Sequence, residues 1–233
     1  MKVRMIRLDK FIASATELSR KQVLRSARQG LVKVNGTVQK DPSIKINEND
    51  HISIDGETVS AARPRYFVLN KPQGYVCTNQ DDEHPTVLEL LDEPRKDQLQ
   101  ICGRLDIDTT GLVLISDDGQ WNHRVTSPNK GQGKCYYVCL ASDISDEDIE
   151  QLRNGIRLQG EPKPCKPAEV ERLFSNELNV TISEGRYHQV KRMFGAVNNR
   201  VIELHRKSVG QIDLGDLEEG EYRELSEEEA ASF

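Results

Sequence analysis

Apolar positions in the first 60 residues follow two different periods. Leu8, Phe11, Ile12 and Ala15 recur at three- and four-residue steps, which places them on one face of a short helix over 7–15. Ser19 is a good N-cap for a second helix, and Gly30 would end it. On that helix Val23, Leu24 and Ala27 are expected to face inward, with Arg20, Lys21, Arg25 and Arg28 outside. After Gly30 the period drops to two. Leu31-Val32-Lys33-Val34 alternates like a strand, Asn35-Gly36 signals a hairpin turn, and Thr37-Val38-Gln39 returns. His51 to Gly56 reads as a further strand and turn. The pattern is two helices followed by a small antiparallel sheet, about the smallest unit that folds alone.

Ala61-Ala62-Arg63-Pro64-Arg65 reads as a linker, and strand-rich sequence follows it. Tyr66 to Leu69 is a strand entering the turn Asn70 to Tyr75. Thr86 can cap a short helix through Leu91. Gly111 to Ser116, Tyr136 to Leu140 and Leu178 to Ile182 are further strands. Residues 145–154 suit a helix with Ile149 and Leu152 inward and Gly155 at its end, and Gln189 to Val197 suits another. Residues 213–229 carry nine acidic side chains against Arg223 alone, which predicts a solvated end.

The formal net charge of −6 argues against a polyanionic partner until its distribution is read. Residues 1–60 hold 11 Lys and Arg against 7 Asp and Glu, a net of +4, and the remainder holds 21 against 31, a net of −10. Such an asymmetry between segments bears on nucleic-acid binding more than the overall balance does. A solvated helix surface accounts for it equally well. The five cysteines form no C-x-x-C pair, which disfavours a disulfide framework or a structural zinc site and fits reduced thiols in the cytoplasm. No apolar run of about 18 residues is present, so no membrane partner is expected.

Reactive side chains concentrate in three stretches. Gly103-Arg104-Leu105-Asp106-Ile107-Asp108-Thr109-Thr110 is a polar turn feeding an apolar strand, a usual place for catalysis. The same residues also suit a plain turn with local caps. Lys134 to Cys139 is the second stretch. Ser183 to Phe194 mixes Arg186, Lys191 and Arg192 with Tyr187 and His188, which suits phosphate contact and base stacking, or else a charged helix face.

Two resemblances sharpen these readings. Arg7-Leu8-Asp9-Lys10-Phe11, the Ser19-Arg20 helix start and Gly30 to Gly36 resemble the S4 RNA-binding domain, which sets the basic face of its helices against structured RNA. Gly103-Arg104-Leu105-Asp106, followed by Thr109, Gly111 and an apolar strand ending in Ser116-Asp117, resembles the signature of RsuA-type pseudouridine synthases. Asn70-Lys71-Pro72-Gln73-Gly74, Lys134-Cys135-Tyr136 and Glu184 to Met193 are similar to that family's other elements, in the expected order.

The resemblance implies an α+β chain. An S4-type αα-β unit over 1–60 and a linker over 61–65 would precede a catalytic domain over 66–233. That domain would be built on a mixed, largely antiparallel sheet with flanking helices. It implies conversion of a uridine to pseudouridine without cofactor or metal. Within the family the chain is most similar to members acting on 16S ribosomal RNA, at the uridine conventionally numbered 516. Asp106 would be the nucleophile, on ribose C1′ or on the ring. Lys191 would be its ion-pair partner, and Tyr136 would pack on the uracil and assist removal of the C5 proton. Arg104 would fill the gap left by the extruded base. Arg7, Lys10, Arg20, Lys21, Arg25, Arg28, Arg186, His188 and Arg192 are the expected RNA contacts. The implied partner is 16S ribosomal RNA or a small-subunit assembly intermediate, with no oligomer required. Asp108 invites a glycosidase alternative, since paired carboxylates serve that chemistry. Arg104 and Lys191 disfavour the protonated acid it needs, so Asp108 is read as a loop-ordering residue. A non-catalytic RNA-binding factor is the other alternative, disfavoured by the three chemical elements.

Overall fold

The computed structural model describes residues 5–47, 49–60, 63–127 and 132–233. The chain forms two compact units, Met1–Arg63 and Pro64–Phe233. Of the expected linker, Ala61 and Ala62 lie outside the described residues. Arg65 is fixed within the second unit: its backbone N–H and its Nε donate to the two carboxylate oxygens of Asp117 at 2.9 and 2.8 Å.

The first unit runs β1 (Ile6–Arg7), α1 (Leu8–Ala15), α2 (Arg20–Arg28), β2 (Val32–Val34), β3 (Thr37–Val38), β4 (Lys45–Ile46), β5 (Ile52–Ile54) and β6 (Glu57–Thr58). Strands β3-β2-β5-β6 form an antiparallel sheet, and β1 pairs with β4. Ser19 caps α2 through a reciprocal box: Gln22 N donates to Ser19 Oγ, and Ser19 N to Gln22 Oε1. The turn at Asn35-Gly36 takes positive φ at both residues, as the two-residue hairpin requires. Leu8, Ile12, Val23, Ala27, Val32, Ile46 and Ile52 make the core. Leu24, expected inward, is 36% exposed. Val23 and Ala27, one turn apart, fill the inward stripe of this short helix, and Leu24 is turned about 100° away from it.

Asp9 is the buried charge of this unit, 7% exposed. Arg7 and Arg20 each donate to its Oδ2, at 2.9 and 2.7 Å. The Arg7 hydrogen bond leads in holding the Asp9 carboxyl well below the usual carboxylate range, with Arg20 and the Lys10 N–H adding to it against the cost of burial. Because the folded pKa is depressed, the stabilisation is complete above pH of about 4 and is lost as pH falls below it. Asp9→Asn should weaken α1 and α2 by about 1–2 kcal/mol at neutral pH and flatten their acid loss, measured by amide hydrogen exchange of the full chain.

The second unit contains β7 (Tyr66–Lys71), β8 (Gln100–Cys102), β9 (Thr110–Ser116), α3 (Gly119–Thr126), β10 (Lys134–Leu140), α4 (Asp146–Asn154), β11 (Glu169–Arg172), β12 (Glu177–Ile182), α5 (Gln189–Ala196), β13 (Val201–Val209), β14 (Ile212–Asp213), β15 (Tyr222–Glu224) and α6 (Glu227–Ala231). Nine strands form one sheet in the order β11-β12-β10-β13-β9-β7-β15, with β14 on β13 and β8 on β9. The pairings are antiparallel except β9 with β13. Phe67, Leu69, Val113, Ile115, Val138 and Val180 pack one face with Ile149 and Leu152 of α4 and Val190, Met193 and Phe194 of α5. Val68, Leu112, Leu114 and Ile212 pack the other face with Trp121, Val125 and Phe233. Cover on both faces explains why 112–115 is continuously apolar instead of alternating.

Residues 213–229 are not a solvated end. They supply β14 and β15, and β15 pairs with β7 at the sheet edge. Tyr222 sets its ring edge-on to Phe67 at 5.8 Å, and Leu214 and Leu225 are buried. A few apolar side chains spaced among carboxylates suffice for an edge strand that needs only one covered face. Strand β13 and helix α3 were not predicted.

Candidate active site

The loop between β8 and β9 carries Asp106, and Lys71 fixes that loop. Lys71, at the end of β7, is fully buried, and its Nζ donates to the carbonyls of Pro72, Ile107 and Thr109 at 3.1, 3.3 and 2.7 Å. Three carbonyls match the three donors of an ammonium. Burial pushes the Lys71 pKa down. Gly74 N donates to Ile107 O, and Thr109 N to Asp106 O, at 2.9 and 3.1 Å.

Gly111 determines where this loop meets the rest of the sheet. It pairs in parallel with Arg206, at a φ of +102°. A Cβ there would lie 2.3 Å from Arg206 O and 2.6 Å from Arg206 N. Only glycine permits that approach. Arg206, 2% exposed, donates from Nε to Leu112 O at 2.7 Å, and its Nη1 lies 3.5 Å from Tyr136 Oη. Tyr136 is 7% exposed and neighbours Arg206 in the β10–β13 register.

The third contribution comes from the turn into α5. His188 at its start is left-handed, with φ 46°. Gln189 is buried: its Oε1 accepts from Arg186 N and its Nε2 donates to Glu184. This turn sends two side chains to Asp106. Lys191 Nζ lies 3.2 Å from Asp106 Oδ2, and His188 Nε2 lies 3.3 Å from Oδ1. Lys191 also reaches Asp108 Oδ1 at 2.6 Å. Burial acts to lower the Lys191 pKa, but its hydrogen bonds to Asp108 and Asp106 together carry it upward. The Lys191 hydrogen bond in turn lowers the Asp108 pKa. Lys191 is thus charged and divided between two carboxylates.

These elements enclose a cavity of about 590 Å³, with Arg104, Asp106, Lys134, Tyr136, Lys191 and Arg206 on its wall. Arg104 is exposed, and among the described residues no hydrogen bond or ion pair holds it. The structure therefore brings together four residues singled out from sequence, Arg104, Asp106, Tyr136 and Lys191. Several expected RNA contacts are placed differently. Arg186 and Arg192 turn toward the 159–164 loop: Arg186 donates to Lys163 O and Pro164 O, and Arg192 to Gln159 O and Glu161. Arg7 and Arg20 are shared with Asp9, whereas Lys10, Lys21, Arg25 and Arg28 are exposed on the first unit. Arg206 and the structural role of Lys71 were missed. Lys71 stands inside the quoted Asn70-Lys71-Pro72 run, so an internal cation between two apolar strands was visible. Arg206 lies on a strand that was not predicted. Among the described residues no group of His, Cys, Asp and Glu could hold a metal ion, and no helix is long and apolar enough to cross a membrane.

A carboxylate paired with Lys191 and His188 on the wall of a half-buried cavity defines a candidate catalytic centre, and comparisons give the class. The family model for RNA pseudouridylate synthase matches residues 65–196, and that for the S4 domain matches residues 6–52. The chain belongs to the RNA pseudouridylate synthase family, with an S4 domain at its N-terminal end. It is 51% identical over 229 residues to ribosomal small subunit pseudouridine synthase A of Yersinia pestis, covering 97% of each chain. It is 50% identical to the protein of the same name from Escherichia coli K12, covering 97% of this chain and 99% of that one. A crystal structure described as pseudouridylate synthase superposes with a TM-score of 0.71 at 47% identity, over 97% of this chain and 99% of that one. The protein is an RNA pseudouridine synthase.

Gly111→Ala should separate β9 from β13. A stability loss of about 2–4 kcal/mol is expected in urea unfolding, together with a collapse of kcat, because strain at positive φ adds to overpacking against backbone. Unchanged stability and turnover would mean that the close approach does not constrain the site.

Proposed function

We propose that the enzyme converts one uridine of 16S ribosomal RNA, the position numbered 516, to pseudouridine, with Asp106 as nucleophile. The observation that carries the assignment of Asp106 is its carboxylate, held between Lys191 and His188 on the wall of a cavity that also presents Tyr136. The substrate assignment is supported by the relatives named ribosomal small subunit pseudouridine synthase A, about half identical over almost the whole chain.

In this scheme the target uridine leaves its stack, at a cost of a few kcal/mol, and enters the cavity. Arg104, exposed and unrestrained at the rim, takes its place in the RNA. Tyr136 packs on the uracil and assists removal of the C5 proton. Asp106 attacks C1′ or the ring, the C1′–N1 bond breaks, the uracil turns, and C1′ rejoins at C5. Splitting the exchange through a covalent intermediate is the usual service of a carboxylate nucleophile. Lys191 orients Asp106, and Asp108 helps hold Lys191 in place. His188 acts at the carboxylate instead of on a phosphate. The unit over 1–60 grips structured RNA through Lys10, Lys21, Arg25 and Arg28, and 66–233 performs the chemistry. The partner is the RNA alone or within an assembly intermediate of the small subunit, in the cytoplasm.

Asp106→Ala should abolish pseudouridine formation in single turnover while RNA affinity stays within about threefold of wild type. Retained activity in that variant would sink the nucleophile assignment. Removing residues 1–60 should raise KM for full-length ribosomal RNA by about 10²-fold or more, since phosphate contacts supply most of the affinity. Normal use of full-length RNA by the truncated enzyme would remove the S4 unit from substrate binding.

A further inference from the structure

The cavity wall holds two cations, one buried and one half-buried, that the scheme above does not use. Arg206 is 2% exposed, and among the described residues its guanidinium bonds only to Leu112 O and Tyr136 Oη. Lys134, at the start of β10, is half-buried on the same wall, and among the described residues no hydrogen bond or ion pair holds it. Burial first, and then the positive charges of Arg206 and Lys166, push the Lys134 pKa down. Asp106 and Asp108 are engaged by Lys191, and Glu184 by Gln189, Arg186 and Lys166 N. No described carboxylate pairs with Lys134 or Arg206. Lys134 and Arg206 thus bring positive charge to the cavity wall with no carboxylate partner among the described residues, an arrangement suited to receiving an anion.

We propose that Lys134 and Arg206 form an anion-stabilising subsite for the uracil ring as it detaches. The proposal rests on the reaction and nucleophile given above. When the C1′–N1 bond breaks, its electron pair leaves with the base, and the ribose C1′ is left bonded to the Asp106 carboxylate. The detached uracil carries one negative charge, spread over N1 and the two carbonyl oxygens. On return, C5 bonds to C1′, the ester to Asp106 breaks, the C5 hydrogen leaves as a proton and N1 ends protonated, so no atom is gained or lost. If Asp106 attacks the ring instead, the charge again develops on a ring carbonyl. Lys134 and Arg206 supply fixed positive charge on the wall that Tyr136 shares, so the anion is met without reorganisation.

The discriminating experiment compares uridine with 5-fluorouridine at the target position of a 16S ribosomal RNA fragment. Fluorine stabilises the same anion from within the ring. Consumption of the starting nucleotide is followed in single turnover. Lys134→Met keeps the aliphatic stem and removes the charge. It should slow uridine consumption by roughly 10²-fold and 5-fluorouridine consumption at least tenfold less, with little change in RNA binding. Arg206→Lys, which keeps a cation and fits the buried site, should slow both substrates less than Lys134→Met slows uridine. Equal slowing of the two nucleotides by Lys134→Met would overturn the subsite and make Lys134 a packing residue. Full activity of that variant on uridine would overturn it too. Asp106→Ala should stop consumption of both nucleotides, so failure of the nucleophile assignment reads differently from failure of the subsite.

Discussion

Gly111 and Arg206 lie backbone to backbone with no room for a methyl group between them, and the cavity exists because of that contact. The sheet is otherwise two antiparallel sets. One holds β7, β8, β9 and β15, and the other holds β10, β11, β12, β13 and β14. Each set could form its own hairpins. The parallel step between β9 and β13 covers only His205 with Thr110 and Arg206 with Gly111, yet it is the seam between them. The first set delivers the Asp106 loop, and the second delivers Tyr136, Lys134 and Arg206. A wider seam would leave the Asp106 carboxylate and the Tyr136 ring on separate surfaces. Thr110 Oγ1 bonds His205 Nδ1 across the same step at 2.8 Å, which fixes register beside the glycine.

Charge is arranged at the scale of the cavity, not of the chain. The protein is acidic overall, but its cavity wall carries Arg104, Lys134, Lys191 and Arg206 with Asp106 among them. The acidic surplus sits at helix starts and edge strands such as α4, α6 and the β14–β15 segment. Lys191 shows how finely the local balance is set. Its contact to Asp108 at 2.6 Å is shorter than that to Asp106 at 3.2 Å. A lysine held by Asp108 is positioned against Asp106 without neutralising it by a tight bidentate contact, which leaves the carboxylate oxygens accessible to a reacting atom.

Much of this was legible in residue order because the informative elements are local. The Ser19 cap, the Asn35-Gly36 turn, the 145–154 helix and the apolar strand after Gly111 depend on neighbours in sequence, and each formed as its pattern predicts. Asp106, Tyr136 and Lys191 were found through ordered resemblance, since by composition alone the Asp106 run was an ordinary turn. What escaped was set by tertiary context. Strand β13 reads Val-Ile-Glu-Leu-His-Arg-Lys-Ser-Val, with polar side chains inward at Arg206 and half-inward at His205, so its apolar period is broken where the site lies. The sequence reads Arg186 and Arg192 as phosphate ligands, and an arginine-rich helix start does not reveal that backbone carbonyls of a distant loop also hold their guanidinium groups. The acidic C-terminal segment was misjudged for the converse reason: net charge hid the few apolar side chains that anchor it.

Three cations of the catalytic unit, Lys71 and Arg206 buried and Lys134 half-buried, differ in how far the fold satisfies them. Burial disfavours the charged forms of Lys71 and Lys134 and pushes the pKa of each down. Lys71 recovers this through three carbonyls of the loop it fixes, so its charge is fully used by the fold. Arg206 is satisfied in part, through Leu112 O and the tyrosine hydroxyl. Lys134 has no hydrogen-bond or ion-pair partner among the described residues, and the positive charges of Arg206 and Lys166 add to burial in lowering its pKa. The three thus form a series from satisfied to unsatisfied that runs from the loop anchor to the cavity wall. A fold optimised for stability alone would place an apolar side chain at the start of β10. Retaining a lysine there is what the proposed anion subsite requires, since its charge is left for a negative group that enters the cavity.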